Sequence, residues 1–233
     1  MTNTHLEPNQ VRAARLAGAL YLVTMATAIF NQSFVRGSLL VRGDATRTAQ
    51  NIAGSEQLFR IGIAADIVTF TGVVLLVWAL YVLLRPVGRN LAVLAVFLRL
   101  AEVAVHYVAT LFSLGALVLL SGAEYLAPLD TGQLQALARA SLSMHGAGLN
   151  LGFVLLGLGS AVFAYLLLRS RYVPKALAAW GVFASLLLSA SAIAVIVFPA
   201  VSPFVMAAMI PMFIYEVSLG LWLLLKGPSV RLA

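Results

Sequence analysis

The sequence predicts an all-α, polytopic membrane protein with six transmembrane helices and two short interfacial helices on the outer face. Three observations carry this expectation. Of the 233 residues, 62% are hydrophobic and 10% charged, a balance outside that of soluble domains. The apolar residues gather in six runs, each within the roughly 17–25 residues that cross a bilayer or a little longer. The basic residues sit at the ends of those runs, so the net charge of +7 is a topology signal and leaves no basic domain to grip nucleic acid. The expected partner is the lipid bilayer. Cysteine is absent, which excludes disulfides, thiolate metal sites and a cysteine nucleophile.

The runs, in order, are Leu16–Val35, Ile61–Leu84, Leu91–Ser121, Leu142–Leu168, Ala176–Phe198 and Phe204–Leu225. Arg12 and Arg15 precede the first as they would in a signal peptide. That run is too long and lacks a small-residue cleavage site, so it is expected to be a retained span. Six spans put both termini on one side. Arg12, Arg15, Arg85, Arg89, Arg169, Arg171, Lys175, Lys226 and Arg231 fall on that side, against Arg36, Arg42, Arg47, Arg60 and Arg139 on the other. The excess places both termini in the cytoplasm, with the chain multi-pass in the cell membrane.

Between the first two spans, Asp44 is placed as an N-cap for a polar helix over 45–58. Asp130 similarly opens a stretch with Leu134, Leu137 and Ala138 on one face. Both read as surface helices. Gly62, Asp66 and Tyr81-x-Leu83-Leu84-Arg85 match Gly146, Asn150 and Tyr165-x-Leu167-Leu168-Arg169 at a constant offset. The match suggests a parallel internal repeat over 44–121 and 130–198 within a single domain, flanked by the spans 16–35 and 204–225.

Many polar positions also agree, in order and spacing, with a known family. They include Arg15-Leu16-Ala17-Gly18 with Tyr21, Gly43-Asp44, Asn51-Ile52, Ser55-Glu56, Phe59-Arg60 with Gly62-Ile63 and Asp66, Arg85-Pro86, Arg89-Asn90-Leu91, Arg99, His145-Gly146, Gly157-Leu158-Gly159 and Glu216. On these residues the chain resembles the uncharacterised bacterial membrane-protein family called domain of unknown function 4386. The resemblance implies a six-span membrane protein and brings no activity, cofactor or partner with it.

Arg99, Glu102 and His106 interrupt the third run at i, i+3 and i+7 and share one helix face. A charge at bilayer depth is costly unless it is paired or wetted, so this face is expected to turn inward. Helical rise puts Arg99, Glu102 and Glu216 at similar depths, roughly 13–18 Å from the cytoplasmic end. A buried ligand-binding or polar cluster of Arg99, Glu102, His106 and Glu216 is therefore expected, with Arg99 paired to at least one carboxylate. Two carboxylates around one arginine favour a proton or cation over an anion. Arg60, Asp66, His145 and Asn150 are expected to form a second, outer polar vestibule.

No catalytic residue, metal or cofactor is assigned. Haem between His106 and His145 is opposed by their different depths. A zinc hydrolase using Asp66, His106 and His145 lacks any paired-histidine motif. The function expected is binding or transport of a small or amphipathic molecule, lipids included, with a homodimer as a candidate assembly for a small transporter. A structural or accessory subunit and a metal-dependent intramembrane hydrolase are the alternatives.

Overall fold

A computed structural model describes residues 7–228. Its elements are helical throughout: α1 Pro8–Phe30, continued by a π-helical turn Asn31–Arg36 and the short α2 Gly37–Leu39; α3 Ala45–Gly54; α4 Glu56–Leu119; α5 Thr131–Ser170; α6 Lys175–Val197; and α7 Ser202–Leu221, continued by a second π-turn Trp222–Lys226. Five of these stretches are long and apolar enough to cross a membrane.

Local chemistry sets the boundaries. Pro8 opens α1, where its missing N–H costs nothing, and Gln10 Oε1 accepts from the Glu7 amide at 3.0 Å. The Asp44 carboxylate accepts from Arg47 N at 2.8 Å and starts α3. Asp130 and Gln133 satisfy each other's amides at 2.8 and 3.0 Å at the head of α5, a reciprocal cap. The expected second surface helix differs from what is observed. Residues after Asp130 run without interruption into the apolar part of α5, because Gly132 lies within the first turn and no further glycine or proline comes before Gly146 to end a short helix.

Helix α4 spans 64 residues. It contains Pro86, and Gly88 departs from helical geometry at φ −174°, ψ 88°. Proline removes an internal hydrogen bond and disfavours helix in the residue before it, so the chain turns back here. Two long segments of α4, on either side of Gly88, then pack into the bundle.

Neighbouring segments touch in chain order and the last returns to the first. α1 meets the first half of α4 through Thr27 and Thr69, whose hydroxyls lie 2.7 Å apart. The halves of α4 meet through Thr71 and Tyr107 at 2.7 Å. The second half meets α5, where Ser141 Oγ donates to Phe112 O at 2.6 Å. Asn150 and Ser189 tie α5 to α6 through Ala192 O at 3.1 Å and Val154 O at 2.9 Å. Trp180 Nε1 donates to Pro211 O across α6 and α7 at 3.1 Å.

Lipid offers no hydrophobic drive between helices, so close packing has to hold such a ring together. A Cβ on Gly18 would stand 2.6 Å from both Gly220 O and Leu224 N, which shows how closely α1 approaches the α7 segment. At Gly157 it would stand 2.5 Å from Ser185 O and 2.8 Å from Ser189 N. Both obstacles are backbone and cannot rotate away. Gly157→Ala should therefore destabilise the protein by about 1–3 kcal/mol, the cost of overpacking. The detergent-solubilised thermal midpoint checks this; an unchanged midpoint would mean that α5 and α6 separate freely.

Candidate functional site

The polar residues fall into two layers. In the central layer the α4 helix presents Arg99, Glu102 and His106 on one face, and all three are at most 4% exposed. Arg99 Nη1 lies 3.1 Å from Glu102 Oε2, and His106 Nδ1 lies 3.2 Å from Glu102 Oε1. Glu102 is thus shared by a guanidinium on one side and an imidazole on the other. His106 is held between Phe70 and Phe153, with ring centroids at 4.9 and 5.8 Å. Gly152 provides the space for the imidazole, because any Cβ at that position would collide with the ring.

His106 Nε2 lies 3.3 Å from Leu149 O. A carbonyl only accepts, so the Nε2 hydrogen is assigned to that contact. Arg99 Nη1, Glu102 Oε2 and His106 Nδ1 lie near one another but are buried without a hydrogen-bond partner. With a neutral imidazole the formal charges of Arg99, Glu102 and Glu216 sum to −1, so the cluster has room for one further positive charge.

Glu216 comes from α7 and is only partly buried. It is within electrostatic range of Arg99 and Glu102, yet among the described residues it forms no salt bridge and no side-chain hydrogen bond. Two tyrosines complete this layer. Tyr21 and Tyr215 are 5% and 1% exposed and both lie within range of Glu216. Gly181 leaves the room for the Tyr215 ring. Sequence reasoning missed their place in the cluster; Tyr215 is the neighbour of a membrane-embedded glutamate, and that adjacency was the available signal.

The second layer lies toward the α3 end of the bundle. Asp66 accepts from Asn31 Nδ2 at 2.5 Å and from Arg36 Nη2 at 2.9 Å. Arg36 Nη2 also reaches Ser113 Oγ at 3.3 Å. His145 Nδ1 lies 2.9 Å from Ala109 O and 3.1 Å from Ser113 Oγ. One buried ion pair with its hydrogen bonds thus joins α1, both halves of α4, and α5. Arg60 stands outside it: it pairs with Glu56 at 2.7 Å, with both side chains more than half exposed. Asn150 also turns away, toward Ala192 O on α6.

Arg36 takes the place expected of Arg60 because of the π-turn. On an α-helix Asn31 and Arg36, five residues apart, point about 140° apart. The i to i+5 bonding of a π-turn stacks them on one side, and both become buried. The sequence offers only two polar residues five apart near the end of an apolar run, which does not by itself call for a π-turn.

Among the described residues no group of three or more histidine, aspartate or glutamate side chains is placed to hold a metal ion. Asp66 is committed to Arg36 and Asn31, His145 to Ala109 O, and His106 to Glu102. The donors proposed for a metal-dependent hydrolase therefore do not converge.

No curated protein and no solved structure matches the chain. The family described as domain of unknown function 4386 matches residues 16–227, which include both polar layers, and the chain belongs to that family.

Proposed function

We propose that this protein binds or transports a small or amphipathic molecule, cationic by preference, at the Arg99–Glu102–His106–Glu216 cluster. The reading takes it as a six-span protein of the bacterial cytoplasmic membrane with both termini inside. At about 1.5 Å per residue, α4 is about 96 Å of helix against a hydrocarbon core of about 30 Å, and the turn at Gly88 supports two crossings. The observation that carries the functional reading is the single buried guanidinium of Arg99, 3.1 Å from Glu102 and within electrostatic range of a second carboxylate, Glu216, an arrangement one positive charge short of neutral. On this reading a proton or a cation entering beside Glu216 supplies that charge, and exchange of one for the other avoids a net buried charge. We take the layer of Asp66 and His145, toward the α3 end, as the entrance side of that site. A homodimer is the working unit we expect for a six-span transporter.

A thermal-shift screen of detergent-purified protein against lipids, quinones, metals and small cations tests this, repeated on Glu102→Gln and Glu216→Gln. A ligand at about a hundred times its dissociation constant stabilises by about 2.7 kcal/mol, about 5 °C or more for a chain of this length. The expected result is such a shift in the wild type, absent from both variants, with about one proton released per cation bound in weakly buffered solution. If nothing shifts the wild type while both variants melt early, the cluster is a structural clamp and the accessory-subunit reading replaces this one.

A further inference from the structure

The two halves of α4 leave an open groove on the outside of the bundle, lined by Val74, Val77, Trp78, Tyr81, Val96 and Phe97, with a volume of about 270 Å³. The lining is almost wholly apolar, and Trp78 and Phe97 are 56% and 67% exposed. On the first half of α4, positions 74, 77, 78 and 81 form one helical stripe, and Arg85 continues that stripe one turn further. On the second half, positions 93, 96, 97 and 100 form the facing stripe, and Arg89 precedes it by one turn. Both arginines are exposed. Among the described residues neither has a salt bridge. The turn at Gly88 brings the two stripes together, and helical spacing puts both arginines one turn beyond the lining residues, at the Gly88 end of the groove.

We propose that this groove is a binding site for an anionic phospholipid: one acyl chain lies along the groove and the headgroup phosphate bridges Arg85 and Arg89. An apolar slot alone would take any acyl chain. The charge at its mouth selects among headgroups, because guanidinium groups pair with phosphate oxygens in fixed geometry and basic sites between transmembrane helices favour anionic lipids. Tyr81, one turn inside Arg85, suits the boundary between headgroup and chain. The site is separate from the central cluster and does not depend on what that cluster binds.

The test uses full-length protein in detergent, titrated with phosphatidylglycerol or phosphatidylcholine, with bound lipid counted by native mass spectrometry. Phosphatidylglycerol should bind the wild type more tightly. The double variant Arg85→Gln/Arg89→Gln should lose about twenty-five-fold, about fivefold for each arginine at an anionic lipid. Arg85→Lys/Arg89→Lys should bind phosphatidylglycerol between the wild type and the Gln double variant, since the charge stays while the guanidinium geometry is lost, which separates lost charge from misfolding. Val93→Phe, which fills the groove beneath intact arginines, should weaken binding of the same lipid. Equal phosphatidylglycerol binding by wild type and the Gln double variant would overturn the proposal. So would full competition by inorganic phosphate, since the acyl groove would then contribute nothing. A groove found occupied by a second copy, seen as a dimer that Val93→Phe dissociates while lipid counts stay constant, would overturn it too.

Discussion

Replacing Arg36 with Met should cost about 3–5 kcal/mol of stability, the usual penalty for leaving one member of a buried ion pair without its partner. The Arg36 and Asp66 side chains are 9% and 12% exposed and 2.9 Å apart, so solvent does little to compensate. Asp66→Asn should cost less than Arg36→Met, because the amide still accepts a hydrogen bond from Arg36 and the guanidinium retains Ser113. The double variant Arg36→Met/Asp66→Asn should recover much of the loss, because no buried charge remains. A double-mutant cycle on the denaturation of purified protein reads the coupling. Side-chain hydrogen bonds between helices in membrane proteins average about 0.6 kcal/mol in such cycles. A coupling energy well above that identifies an ion pair that holds four segments together. One at or below it would mean that α1 is held by its glycine contacts with the α7 segment instead.

The sequence and the structure diverge most where backbone geometry departs from the regular α-helix. An all-helical chain with long apolar segments is legible from composition and run length, since 1.5 Å per residue against bilayer thickness leaves little freedom. The alignment of Arg99, Glu102 and His106 on one face follows from helical spacing alone, and so does the contact of Glu102 with both neighbours. Asp44 and Asp130 were legible as helix starts because a capping carboxylate acts within three residues. Arg36 was not: counted as a loop arginine, it is turned inward by six π-helical residues, and no property of the side chains in that stretch forces a π-turn over an α-turn. The same limit governs the surface helix expected after Asp130. Whether a cap opens a short helix or the first turns of a long one depends on what the following residues pack against, and α5 there packs along α4 through Ser141 and Phe112. Side chains that meet from distant segments are harder still. Tyr21, Tyr215 and Glu216 share a layer only because α1 and α7 close the ring at Gly18 and Gly220.

Glu102 is the position where stability and function should separate. Glu102→Ala removes the carboxylate that faces both Arg99 Nη1 and His106 Nδ1 and opens a void at a site 1% exposed. A loss of about 3–5 kcal/mol is expected, from the uncompensated guanidinium together with the cavity. Glu102→Gln should behave differently. Its carbonyl oxygen can face Arg99 while its amide donates to His106 Nδ1, so each contact keeps a donor and an acceptor. Arg99 and Glu216 then balance with the imidazole neutral, and stability should stay within about 1 kcal/mol of wild type, the scale of one hydrogen bond. What Gln removes is the carboxylate that the proposed exchange uses to take up a proton. Proton release on cation binding should vanish in Glu102→Gln even though the protein melts as the wild type does. An early-melting Glu102→Gln protein would locate the value of this residue in its charge, as in a structural clamp. A stable variant that still releases a proton would move the exchange to Glu216, the carboxylate without a salt bridge among the described residues, and Glu216→Gln would then be the variant that abolishes it.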